Sequence, residues 1–139
     1  IEYPLRNGRF YRQPYSTSND RTMQFLYNAT PMMQEAHSYP EILDLIHSRR
    51  MLLLYLSRPS CGVCTALKPK IETLLDRYPE IDSRYVHVDE IPKAAGQLSV
   101  FTVPGILLFI DGKETLREAR HISIPVFDEK VSRYYHMLH

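Results

Sequence analysis

Two apolar runs mark the central strands that the sequence predicts. Residues 51–56 are nearly all apolar, a pattern typical of a strand buried on both faces of a sheet. Residues 105–110 form the second run, and Asp111-Gly112 directly after it is a hairpin turn signal. The turn predicts that the chain returns as an antiparallel strand over residues 114–122.

Helical periodicity predicts four helices. Ser38 is a candidate cap for the first, whose apolar positions fall within residues 42–46. The second is expected over residues 61–78, the short third over 92–99 and the last over 124–138. The inward positions predicted for the second and last helices are Leu67, Ile71, Leu74, Leu75, Phe127, Val131, Tyr134 and Leu138.

Two further strands complete the pattern and set the fold class. Residues 32–36 form a candidate short strand, and residues 84–89 alternate between two faces as a half-buried strand does. The resulting order is βαβαβαββα. We therefore predict an α/β domain with a mixed central sheet of four to five strands, flanked by helices on both faces.

The first part of the chain differs from the rest. Residues 1–31 are rich in arginine and tyrosine and show no sustained helical or strand period. We interpret them as an N-terminal extension to a domain spanning residues 32–139. Met23 is a plausible native start, which would make residues 1–22 an upstream addition.

Composition and charge exclude several function classes. The 139-residue chain has a net charge of +1, so nothing points to a nucleic-acid partner. Its longest apolar runs are too short to cross a bilayer, and its N-terminal residues lack a secretory pattern. With only two cysteines, it is no disulfide-stapled secreted scaffold. A cytoplasmic protein with no membrane partner is the simplest interpretation.

Both cysteines lie where a buried strand should meet a helix. Cys61 and Cys64 are separated by two residues, so a bond between their sulfurs can form within the motif. The unpaired N–H groups and the dipole of a helix N-terminus stabilise a thiolate. Cys61, at the exposed first position, is the expected nucleophile, and Cys64, one turn later, is the expected resolving thiol. Arg58 could add positive potential.

Two other interpretations of the pair stay open at this point. A Cys-x-x-Cys motif is also half of a zinc site, but zinc needs two more ligands. No further cysteine exists and the six histidines are scattered, so no metal is expected. Two inert thiols are the other alternative.

Further positions give the chain its resemblance to a family. The residues that carry it are Cys61, Cys64, Pro69, Asp89, Pro92, Val103-Pro104 and Gly112. In spacing and type they resemble the thioredoxin superfamily over residues 32–139, and the sequence looks closest to the small thioredoxin-like proteins of Gram-positive bacteria. Taken alone, Pro104 would be an ordinary trans strand-starter, whereas the resemblance implies a cis bond beside the disulfide.

The sequence also departs from that family at several positions. Val63 replaces the usual proline between the cysteines, and the chain has no tryptophan. Tyr55 stands where the family has a buried acid, and Tyr85 where it has the facing lysine. A phenol has a pKa near 10 and is a poor base at neutral pH, so the role of proton acceptor does not carry over to Tyr55. His87 is the nearby titratable alternative.

The resemblance implies a protein thiol–disulfide oxidoreductase that needs no bound cofactor. Its expected partners are disulfide-containing proteins and a reductase that recycles the pair. Substrates are expected to dock in extended form on the residues Ser60, Gly62, Val63, Val103 and Pro104. The alternative is a redox-sensing or interaction module that uses the dithiol without efficient turnover. We also expect the free N–H of Val63 to donate to the Cys61 sulfur.

Overall fold

The computed structural model describes residues 2–4, 10–12 and 33–139, and the fold lies in the last of these ranges. Its strands are β3 (Gln34–Glu35), β4 (Met51–Ser57), β5 (Asp82–His87), β6 (Gly105–Ile110) and β7 (Lys113–Ala119). Its helices are α1 (Tyr39–Ser48), α2 (Gly62–Leu75), α3 (Pro92–Gln97) and α4 (Ile124–Leu138). The order along the chain is the predicted βαβαβαββα.

The five strands form one mixed sheet in the order β3-β5-β4-β6-β7. β4 runs parallel to β5 and antiparallel to β6, with Leu56 opposite Gly105. Every residue of β4 is buried, as its unbroken apolar pattern predicts for a central strand. The mixed sheet with helices is therefore confirmed, with five strands.

Alternate residues of β4 point into two separate hydrophobic clusters. Leu53 and Tyr55 pack with side chains of α2 and α4, whereas Leu52, Leu54 and Leu56 pack with those of α1 and α3. The sheet is thus covered by a helix pair on each face. The face with α2 and α4 is the one that carries the cysteine pair.

Local sequence signals explain where the helices begin. The side chain of Ser38 accepts a hydrogen bond from the backbone N–H of Glu41 at 3.2 Å, so it caps α1 as predicted. Ser123 caps α4 in the same way, with Pro125 in the first turn. Pro69 lies inside α2, whose predicted inward residues are all buried.

Several predicted details were wrong. β5 begins and ends two residues earlier than expected, and β7 ends at Ala119 rather than at residue 122. In α4, Phe127 and Val131 are buried as predicted, but Tyr135 rather than Tyr134 packs on the core. Its ring lies 5.0 Å from that of Tyr78, edge to face.

The N-terminal segment contains a strand pair that the sequence analysis did not predict. β1 (Glu2–Pro4) and β2 (Phe10–Arg12) pair in antiparallel register, with Tyr3 opposite Tyr11. Tyrosine and phenylalanine favour strands, but three residues on each side are too few to produce a recognisable period. Met23 and the proposed start at that residue lie outside the described residues.

Candidate active site

The two cysteines are joined by a disulfide at the junction between β4 and α2. Cys61 and Cys64 have their Cα atoms 5.3 Å apart. Cys61 is the residue before the first turn of α2, and its backbone N–H is bonded to the carbonyl of Arg58 at 3.1 Å. The site therefore sits at the carboxyl end of the central strand and at the positive end of a 14-residue helix.

The Cys61 sulfur itself caps the helix. Its Sγ accepts a hydrogen bond from the backbone N–H of Cys64 at 3.2 Å. This corrects the expectation for Val63, whose N–H makes no hydrogen bond to that sulfur within residues 33–139. A capping side chain reaches the N–H of the second or third helical residue. Here these are Val63 and Cys64, and the third is the donor.

The two sulfurs differ in their access to solvent. Cys64 is fully buried, whereas Cys61 is partly exposed. Ser60 and Gly62 are exposed beside it, and the Val63 side chain is 60% exposed. A partner sulfur can thus approach Cys61 but not Cys64.

Pro104 reaches the same end of the sheet through strand pairing. Gly105 lies opposite Leu56 near the carboxyl end of β4, so Pro104, one residue earlier, lies beside the segment that leads to Cys61. The Val103–Pro104 peptide bond is cis, as the resemblance implies. Pro104 is buried and Val103 is half-buried. All the predicted site residues therefore lie at one end of the sheet.

Tyr55 contacts the backbone of the active-site helix directly. Its hydroxyl donates to the carbonyl oxygen of Cys64 at 2.5 Å, and its side chain is fully buried. Burial, followed by the nearby Tyr85 and Glu72, raises the pKa of Tyr55 well above its usual value. The phenol is therefore a neutral donor at physiological pH. Sequence reasoning missed this contact, although β4 and α2 were both placed.

A cation and a carboxylate from α2 lie close to the tyrosine pair. The rings of Tyr55 and Tyr85 are 6.0 Å apart, and the ammonium of Lys68 lies 5.6 Å from the centre of the Tyr85 ring. Lys68 also pairs with Glu72 at 3.0 Å. Charged side chains therefore lie near the two tyrosines, but they belong to α2 and not to β4 or β5.

The other charged residues near the site have limited influence on it. Arg58 pairs with Asp89 at 3.6 Å, and both side chains are largely exposed, so the pair contributes little net potential. His87 lies opposite Ser57. Its Nδ1 is buried without a hydrogen-bond partner in the described part of the chain. Neither residue contacts a cysteine sulfur by any hydrogen bond in that part.

The described part of the chain contains neither a metal-ligand cluster nor a membrane-spanning helix. Within them, no three histidine, cysteine, aspartate or glutamate side chains cluster closely enough to hold a metal ion. No helix there combines the length and hydropathy that crossing a bilayer requires.

Comparison with known proteins gives a consistent result. A sequence model of the thioredoxin family matches residues 32–123. The chain is 40% identical over 105 residues to the thioredoxin-like protein YdfQ of Bacillus subtilis, covering 76% of this chain and 94% of that protein. It is 30% identical over 115 residues to thioredoxin-2 of Pyricularia oryzae, covering 81% and 67%.

Solved structures agree with the sequence comparison. Thioredoxin from Fasciola hepatica superimposes with a TM-score of 0.66 at 27% identity, covering 73% of this chain and 98% of that one. Oxidised mitochondrial thioredoxin 3 from Saccharomyces cerevisiae gives a TM-score of 0.66 at 21% identity, covering 73% and 94%.

Proposed function

This chain belongs to the thioredoxin family and is a thiol–disulfide oxidoreductase, and we propose that it acts on disulfides in proteins through Cys61 and Cys64. The observation that carries the proposal is the difference between the two sulfurs. One is partly exposed and accepts a helix N–H, and the other is fully buried. Such a pair can attack a partner with one sulfur and resolve the adduct with the other.

In the reducing direction, the Cys61 thiolate attacks one sulfur of the target disulfide. A Cys61–target bond forms, and the other target sulfur leaves as a thiolate. The Cys64 thiol then loses its proton and attacks the Cys61 sulfur. This forms the Cys61–Cys64 disulfide and releases the second target thiolate. Two electrons pass from the dithiol to the target, and the departing thiolates take up two protons.

Tyr55 cannot accept the proton of Cys64 in this cycle. Burial keeps its phenol protonated, and its hydroxyl already donates to the Cys64 carbonyl. The acceptor is instead water or the departing target thiolate, which lies beside the reacting sulfurs. The role of Tyr55 is to fix the first turn of α2 at the position of Cys64.

The substrate is expected to bind as an extended segment across the residues around the disulfide. Ser60, Gly62 and Val63 form one side of this surface, and Val103 with Pro104 the other. The fit is supported by the exposure of Ser60, Gly62 and Val63 and by the position of all five residues at one end of the sheet. A Cβ added to Gly62 would contact nothing within 4 Å, so this side is open to a partner chain.

Recycling requires a reductase that returns two electrons to the Cys61–Cys64 disulfide. We place the reaction in the cytoplasm and in the domain of residues 32–139, with residues 1–31 as an extension. The composition supports the compartment, because both cysteines belong to the redox pair and none is left for a structural disulfide.

The test is turnover of a protein disulfide with dithiothreitol as the electron source. The unaltered chain should reduce many equivalents, and Cys61→Ser should reduce none. Cys64→Ser should accumulate a mixed disulfide through Cys61, because the adduct has no resolving thiol. A redox-sensing module would instead react once and stop. Full activity in Cys61→Ser would refute the assignment of the nucleophile.

A further inference from the structure

A groove opens beside the disulfide between α2 and the segment that joins β7 to α4. Its volume is ≈ 470 Å³. One wall is a single face of α2, and the other is formed by residues 120–123. The residues of the helical wall are Val63, Ala66, Leu67 and Lys70. Because Val63 directly precedes Cys64, the groove begins at the redox pair.

The charged side chains that line this groove, Lys70 and Arg120, are both cationic. His121 and Ser123 are the other polar residues of the lining, and no carboxylate belongs to it. None of the ion pairs formed within residues 33–139 involves Lys70 or Arg120. Lys68, also on α2, is by contrast held by Glu72. The groove therefore presents two charges that this part of the chain leaves uncompensated.

Arg120 is held at the site in an uncommon backbone conformation. Its φ is 64°, in the left-handed region that costs a non-glycine residue about 1 kcal/mol or more. Its backbone N–H donates to the carbonyl of Pro104 at 3.1 Å, which fixes Arg120 next to the cis proline. A glycine would adopt this conformation at lower cost, so the arginine at this position lowers the stability of the fold.

We propose that this cationic groove selects disulfide substrates whose reactive cysteine lies beside an acidic, extended segment. Carboxylates of that segment would meet Lys70 and Arg120 while the target sulfur faces Cys61. The inference rests on the proposed function and adds its substrate class. Lys70 also lines a second depression of ≈ 600 Å³ between α2 and α4, so a longer segment can continue along the helix.

The test compares two peptides, each a disulfide-linked dimer, that differ only in residues flanking the cysteine: aspartate and glutamate in one, asparagine and glutamine in the other. The reduced protein should reduce the acidic peptide at least about four-fold faster, because two exposed cations each contribute a factor of about two to five. Raising the salt concentration should shrink this ratio.

Two variants and one control locate the effect. Lys70→Gln and Arg120→Gly should each lower the ratio about two- to five-fold, and the glycine suits the left-handed backbone, so folding is preserved. Lys113→Gln removes the same charge at the opposite end of β7 and should leave the ratio unchanged. Equal rates for the two peptides in the unaltered protein, or a loss of preference in Lys113→Gln equal to that in Lys70→Gln, would overturn the groove assignment alone. Failure to reduce either peptide would overturn the proposed function as well.

Discussion

Replacing Tyr55 by phenylalanine tests how the core holds the active-site helix. The change keeps the buried ring and removes only the hydroxyl that donates to the Cys64 carbonyl at 2.5 Å. A single hydrogen bond of this kind contributes about 0.5–1.5 kcal/mol net. Tyr55→Phe should therefore lower the free energy of unfolding of the oxidised protein by about 1 kcal/mol at pH 7.

The same variant should change the response of stability to alkaline pH. The folded pKa of Tyr55 is raised, whereas the unfolded phenol titrates near 10. Above pH 10 the unfolded chain loses this proton while the folded protein keeps it, so stability falls as pH rises. By pH 11 this amounts to about 1.4 kcal/mol. Phenylalanine has no such proton, so the difference of about 1 kcal/mol between the two proteins should have closed by about pH 11.

Urea unfolding at pH 7, 9 and 11 measures both effects. Tyr85→Phe is the matched control at pH 7, because its ring lies 6.0 Å from Tyr55 and its hydroxyl makes no hydrogen bond within residues 33–139. Its free energy of unfolding should change by less than about 0.5 kcal/mol. An equal loss in both variants at pH 7, or a Tyr55→Phe deficit that stays constant to pH 11, would refute the reasoning.

Three further expectations follow from packing and capping. Gly105→Ala should destabilise the fold by about 1–3 kcal/mol, because the new Cβ would lie 2.9 Å from the Val100 side chain. Gly96→Ala in α3 is the control: its new Cβ would have nothing within 4 Å, so it should be neutral or stabilise by up to about 1 kcal/mol. Thermal melts distinguish the two variants. Ser38→Ala removes the cap of α1 and should cost about 1 kcal/mol, measured by urea unfolding, and an unchanged midpoint would show that the cap contributes nothing. A chain that begins at Met23 should keep its fold and its disulfide reduction, and a fall of several kcal/mol in denaturant stability would show that the preceding residues pack on the domain.

The long apolar runs made most of the fold predictable. β6 and α4 have the predicted bounds, since an unbroken buried strand and a capped amphipathic helix carry their own local signals. The ends of β5 were not predictable, because they depend on pairing with β4, where Asp82 lies opposite Leu52. The early end of β7 follows from the left-handed backbone at Arg120, which no apolar pattern encodes.

Part of the candidate site was likewise predictable from the sequence, and part was not. The cysteine pair and Pro104 were found from spacing and resemblance. The prediction of Val63 as donor to the Cys61 sulfur was wrong, and the capping rule does not separate it from Cys64, because the two are the second and third helical residues. The contact between Tyr55 and the Cys64 carbonyl joins a strand to a helix, and sequence gives no measure of that distance.

Because the Cys61 sulfur caps α2, the charge on that sulfur affects how well ordered the first turn of the helix is. The backbone N–H of Cys64 is a helix-end donor that needs an acceptor, and the Cys61 sulfur supplies one. This one hydrogen bond therefore stabilises both the first turn of α2 and a thiolate at Cys61. A charged acceptor forms the stronger bond, which makes the first turn most resistant to fraying in the dithiol state. In the proposed reaction Cys61 enters a mixed disulfide, which removes its charge, and we expect the cap to weaken. We therefore expect the first turn of α2 to be least firmly held at the step in which the buried Cys64 has to reach the Cys61 sulfur.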